Sequence, residues 1–217
     1  MLFASLSLAI SMLAACNSTD ESNGSETESS QVETDEPKGE ETPEEEKEEE
    51  TQTPAAERGP DKTLTYSLDG EVKEETAVLT DSDEQNYSIY KLDGFTLTGE
   101  EPNKDSLYLD ENSAVFMRVE TISKDEASYE IIAENMVETI AAVSIGKEPV
   151  KIDQKEKLPQ GEGIKNPVGY ETTFELGTVT GIVFEQGNLI VRVTIFDQNS
   201  ANLTDAFLKM SETIAAK

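Results

Sequence analysis

The chain contains one thiol, Cys16, and no histidine, so the residues able to do chemistry are few. A cysteine is the strongest nucleophile the chain offers, and its sulfur can be alkylated or acylated. Two arginines, Arg118 and Arg192, are the only ones between residues 62 and 217, and each interrupts an apolar strand-like run. Their planar forks suit a carboxylate or a phosphate, or equally a cross-strand carboxylate such as Glu120 or Glu175 with the stem covering apolar surface. Lys147, Lys151, Lys155, Lys157 and Lys165 crowd one stretch, where Glu148, Asp153, Glu156 and Glu162 nearly neutralise them. In an acidic chain that stretch is the least negative, so Lys151, Lys155 and Lys157 join the two arginines as candidate anion- or partner-binding residues. Asp81-Ser82-Asp83-Glu84-Gln85 places oxygens at alternate positions as a calcium loop does, but the glycine and the distal glutamate are missing, which predicts a turn between strands. The aromatics Tyr87, Tyr90, Phe95 and Tyr108 suit either a ligand cleft or a sheet core. No Gly-rich phosphate loop and no serine nucleophile elbow is present. The expectation is therefore a protein that is not an enzyme, with no catalytic residues, no cofactor and no metal.

Charge excludes other classes. With 46 acids against 17 bases the net charge is −29, which repels nucleic acid and anionic lipid surfaces alike.

Composition divides the chain into three. Residues 1–16 are an apolar run, too short to span a bilayer, that stops at Cys16. Leu13-Ala14-Ala15-Cys16 resembles the bacterial lipobox, and the small residues before the cysteine resemble a signal-peptide cleavage region. That resemblance implies cleavage after residue 15 and a diacylglyceryl group on the Cys16 sulfur, with palmitate-type chains holding the mature protein in the lipid bilayer. Two acyl chains are what stable anchoring requires. No Lys or Arg precedes Lys38, so the expectation is a start codon upstream of Met1 that supplies the missing basic stretch. Residues 16–61 then form the lipidated cysteine and an acidic linker. From 17 to 61 there are 17 acids and 3 bases, too few apolar groups to offset the entropy of ordering, which predicts disorder. A flexible tether of that length spans about 40 Å, more with self-repulsion.

Residues 62–217 carry nearly all the remaining hydrophobic side chains and read as one domain. Thr63–Leu79 alternates apolar and polar around Asp69-Gly70, a hairpin signal. Strands are predicted at Tyr87–Leu92, Phe95–Thr98, Ser106–Leu109 and Ala114–Ile122. The period then changes: Tyr129, Ile132, Met136, Ile140 and Val143 recur at helical spacing, and Asp125-Glu126 are placed in the first turn. A long connection over 147–169 follows, with a short strand at Val150–Asp153. Strands at Gly169–Leu176, Val179–Glu185 and Leu189–Phe196 precede a final helix with the stripe Leu203, Phe207, Met210 and Ile214, capped from Asp197–Ser200. Strands, helix, strands, helix imply an α+β fold, an antiparallel sheet sandwiched by two amphipathic helices.

Several stretches resemble the PsbP-like superfamily, in particular the small Bacillus-type lipoproteins of Gram-positive bacteria that carry such a domain behind an acidic tether. They are Tyr87–Leu97, Asn103–Tyr108, Phe116–Glu120, Thr194–Phe196 and Ala206–Met210, and the resemblance covers about residues 85–217. It implies an antiparallel sheet between helices and a role in binding or assembly, with no catalytic set. The expected function is a membrane-anchored lipoprotein on the extracytoplasmic face of the cell membrane, binding a small ligand or an envelope protein. The alternative is a structural or assembly factor of the envelope or spore that takes no small ligand.

Overall fold

The computed structural model describes residues 58–144 and 146–217. The lipobox-like Cys16 and the acidic linker up to residue 57 lie outside the described residues.

Eleven strands and two α-helices follow one another along the described chain: β1 (Asp61–Leu68), β2 (Glu71–Asp81), β3 (Tyr87–Leu92), β4 (Phe95–Glu101), β5 (Lys104–Leu109), β6 (Asn112–Ser123), α1 (Tyr129–Val143), β7 (Val150–Lys151), β8 (Ile164–Thr173), β9 (Gly177–Gln186), β10 (Leu189–Gln198), α2 (Thr204–Ser211) and β11 (Ala215–Ala216). Hydrogen bonding sorts the strands into a four-stranded sheet, β1-β2-β3-β11, and a seven-stranded sheet, β4-β5-β6-β10-β9-β8-β7. All pairings are antiparallel.

The expected α+β sandwich of one sheet between two helices is therefore wrong. Of the described residues 53% are strand and 16% helix, in a β-sandwich-like fold of two sheets. The reason lies at Asp93-Gly94. That dipeptide has the composition of a hairpin turn, yet β3 pairs with β2 and β4 pairs with β5, so it carries the chain from one sheet to the other. Asp69-Gly70, by contrast, does close a hairpin. Asp69 at φ 54° and Gly70 at φ 82° are both left-handed, as a two-residue turn matching the strand twist requires. The β1–β2 hairpin is half of the smaller sheet, and the single-sheet arrangement implied by the PsbP-like resemblance goes with the same correction.

The main core lies between the sheets. Leu64, Tyr66, Ile89 and Leu92 from the smaller sheet meet Leu107, Met117, Val119, Val193 and Ile195 from the larger one, and Phe207 and Met210 of α2 fill the same layer. Phe95 meets Phe207 edge to face at 5.3 Å. On the far face of the larger sheet α1 buries Met136 and Ile140 against Val179, Val183 and Ile190. Strand β9 is covered on both faces, and its residues Val179 to Phe184 are buried without a break. Gly181 makes that possible: a Cβ there would stand 2.3 Å from Met136 Sδ and 2.6 Å from Ile140 Cδ1.

The helices are shorter than their sequence patterns. Asp125-Glu126 sit in a turn before α1, and the acid in its first turn is Glu130. Val143 ends the expected stripe but is 39% exposed. Ile214 lies beyond α2, in the tail that leads to β11. No described helix is long and apolar enough to cross a membrane.

Candidate functional site

One end of the sandwich holds a cleft of about 300 Å³. Its floor follows from strand alternation. Thr178, Thr180 and Ile182 are every second residue of β9 and so share a face. Thr180 stands opposite Ile195 of β10 and Glu171 of β8. The roof is Ser67 at the end of β1 with Thr204, Asp205 and Leu208 of α2, and the side wall is Ile152, Glu156 and Lys157 after β7.

Two carboxylates hold the roof in place. Asp205 Oδ2 accepts the Ser67 backbone N–H at 2.6 Å, tying α2 to the edge of the smaller sheet. Asp197 Oδ2 accepts both the backbone N–H and the hydroxyl of Thr204, at 2.8 and 2.7 Å. The helix therefore takes its cap from β10 and not from Leu203, the residue before it. The other oxygen, Asp197 Oδ1, is buried with no hydrogen-bond partner among the described residues. At the rim Lys157 Nζ stands 3.6 Å from Glu171, with half of the lysine side chain exposed. So loose a pair is cheaply exchanged for ligand contacts. An apolar strip (Ile182, Ile195, Leu208) beside threonine hydroxyls and charges of both signs can hold a small ligand that is part apolar and part hydrogen-bonding.

Of the candidate anion- or partner-binding residues named from the sequence, the structure brings only Lys157 to this cleft. Lys155 begins the short 3₁₀ turn Lys155–Lys157, and Lys151 lies exposed on β7. Both arginines face the other side of the larger sheet. Arg118 grips Glu100 with Nε at 3.0 Å and Nη2 at 2.9 Å, and that hydrogen bonding raises its pKa above the ordinary arginine value. Arg192 lies opposite Glu120 in the β6–β10 register, 3.6 Å from its carboxylate, and donates to Thr139 Oγ1 of α1 at 2.5 Å. These two arginines hold elements together and do not line this cleft.

The calcium-like Asp81–Gln85 stretch is a turn. Ser82 Oγ accepts the backbone N–H groups of Glu84 and Gln85. Gln85 reaches across to β6, donating to Val119 O at 3.1 Å and accepting from Thr121 N at 2.8 Å. Among the described residues no group of three or more His, Cys, Asp or Glu is placed to hold a metal ion. Tyr87, Tyr90 and Phe95 are buried in the core, and Tyr108 is half-buried on β5.

Arg58 is the residue that sequence reasoning missed. Assigned to the linker, it donates from Nη1 to Ser88 O and Oγ at 3.1 and 2.6 Å, and from Nη2 to Thr213 O at 2.5 Å. Its guanidinium lies 4.5 Å from the centre of the Tyr90 ring. Burial pulls its pKa down, against the opposing effects of Tyr90 and Asp81. The only signal was an isolated arginine just before Gly59-Pro60.

A family model described as a domain of unknown function, DUF8580, matches residues 58–160, from Arg58 to just past the 3₁₀ turn. No curated protein matches the chain. A crystal structure from Bacteroides thetaiotaomicron VPI-5482 is 13% identical over 61% of this chain and 45% of its own, with a TM-score of 0.34. The chain thus spans less than half the length of that structure.

Proposed function

We propose that the protein is a membrane-anchored extracytoplasmic lipoprotein whose two-sheet domain binds a small, partly polar ligand in the cleft between β9, β10 and α2. The cleft carries the reading. Its lining combines an apolar strip, threonine hydroxyls and the loosely paired Lys157–Glu171 on a floor fixed by strand register. The anchor rests on Leu13-Ala14-Ala15-Cys16 alone. With the single-sheet fold corrected, the PsbP-like resemblance no longer supports the binding role.

Two experiments test the two halves. Membranes from cells expressing the full chain should yield a diacylated N-terminal Cys16, and Cys16→Ser should release the protein; a variant that stays in the membrane fraction rejects the anchor. For the cleft, a metabolite library read by thermal shift should give compounds that stabilise the native state, by about 2.7 kcal/mol at a hundredfold excess over Kd. The response should weaken in Lys157→Ala. A library without a hit, or hits indifferent to Lys157, favours the envelope scaffold that takes no small ligand.

A further inference from the structure

A second concavity, of about 770 Å³, lies beside β1. It is bounded by the outer edge of that strand at Thr63–Thr65, by Gln160–Glu162, and by Lys209 and Glu212 where α2 ends, with Arg58, Lys62 and Tyr90 at one end. Strand β1 is the edge of its sheet. In a two-residue hairpin the flanking pair, here Leu68 and Glu71, exchanges hydrogen bonds, and every second pair after it does the same. Ser67, Thr65 and Thr63 fall between, so their N–H and C=O groups point away from β2. The Ser67 N–H confirms the phase by donating to Asp205 on that outer side. The outward groups of Thr65 and Thr63 have no protein partner among the described residues and border the concavity.

The charge of this concavity differs from that of the rest of the molecule. It has three bases, Arg58, Lys62 and Lys209, and two acids, Glu162 and Glu212, in a chain of net charge −29. Glu212 is already engaged, accepting from Lys209 Nζ at 2.8 Å and from Gln160 N at 3.1 Å. Lys62 makes no ion pair among the described residues, and its ammonium lies 6.0 Å from the centre of the Tyr90 ring, which Arg58 also covers.

An edge that offers donors and acceptors alternately, beside the unpaired Lys62 ammonium and a small excess of bases, matches one kind of occupant. We infer that an extended acidic peptide from a partner protein adds as a strand to the Thr63–Thr65 edge of β1, with its carboxylates toward Lys62 and Arg58. A small anion accepts hydrogen bonds but donates none and leaves the strand carbonyls unmatched, whereas a peptide backbone satisfies both. The site is independent of the cleft under the N-terminal end of α2.

The test uses the full chain and fluorescently labelled hexapeptides at low ionic strength, read by anisotropy. The first alternates Glu and Val, the second carries proline at the central valine with the same charge, and the third alternates Lys and Val. The Glu-Val peptide should bind saturably and the other two should not. Lys62→Glu should weaken binding about tenfold. Thr65→Pro removes an N–H that takes no part in the β1–β2 ladder, a position where an edge strand tolerates proline, and it should abolish binding while thermal melts show the fold retained. If Thr65→Pro unfolds the protein, the proline-bearing peptide still decides the matter on the unaltered chain. Equal binding of that peptide overturns strand addition, as does binding by a folded Thr65→Pro protein, and no binding of the Glu-Val peptide overturns the site altogether.

Discussion

Asp105 is a carboxylate sealed into the main core. It is 1% exposed, and neither oxygen has a hydrogen-bond partner of good geometry among the described residues. The Tyr87 hydroxyl beside it is equally unpartnered, and burial, with the carboxylate adding to the effect, pushes that phenol's pKa up. A buried polar side chain without good hydrogen bonds is costly, and replacing it with an apolar one of similar size should help. Asp105→Leu should therefore raise the unfolding free energy by about 1 kcal/mol or more, read from urea denaturation; a destabilised variant would mean that the carboxylate has a partner of its own. Two other tyrosines make stability depend on alkaline pH. Tyr66 and Tyr129 are each pushed up to about 12 from 10, chiefly by burial, with Glu75 assisting at the first and Glu185 at the second. A phenol whose folded pKa is raised favours the native state fully below pH 10 and gives up that contribution as pH rises from 10 toward 12. Loss of β-sheet circular dichroism should accompany the rise of tyrosinate absorbance in that window, and Tyr129→Phe should move the transition to higher pH. At the acid end Glu185 is held below the usual carboxylate range, first by Lys124. Its contribution is present above the ordinary glutamate pKa and is lost as pH falls through the lowered one, so Lys124→Ala should flatten the acid limb of a stability profile.

Among the elements, α1 depends most on a single position. Gly181→Ala places a methyl against Met136 and Ile140, fully buried side chains that must shift between helix and sheet to admit it. The cost should be about 1–3 kcal/mol, and hydrogen exchange should speed up in α1 ahead of the strands between the sheets. Strands of this kind were legible. Tyr87–Leu92 and the apolar run of β10 stand in the structure as their patterns require, because alternation and continuous burial are local signals. The pairing partner of a strand is not local. Asp69-Gly70 and Asp93-Gly94 are the same dipeptide, one closing a hairpin and the other switching sheets, and what distinguishes them is which apolar face each following strand must cover. The site was legible to the same degree. Lys157 stood out by composition, but the cleft it borders arises from rows of residues across β8, β9 and β10 that no single stretch contains. Arg58 looked like a stray charge in polar sequence because its partners, Ser88 and Thr213, are 30 and 155 residues away.

At the scale of the molecule, charge dominates. A net charge of −29 with no histidine means self-repulsion that changes little across neutral pH and that salt screens within about 10 Å at 0.1 M. Thermal stability should rise when sodium chloride is added and stay flat from mildly acidic to mildly basic buffer; a melting temperature that falls with salt would show that attractive pairs such as Arg118–Glu100 outweigh the repulsion.

The docked Arg58 also fixes a direction. Its guanidinium, the Gly59 carbonyl bonded to the Tyr90 hydroxyl, and the Pro60 carbonyl bonded to Leu79 N clamp the chain at the first residue of β1. Ser67, on the roof of the ligand cleft, is at the strand's other end, roughly 20–25 Å away at about 3.3 Å per residue. The chain's far terminus returns to the clamped corner, since Ala215 and Ala216 pair with Ser88 and Tyr87. A load applied through residues upstream of Arg58 is therefore taken up at one corner by contacts to β2, β3 and the C-terminal tail, and the cleft roof at Ser67 stands at the other end of β1 from it.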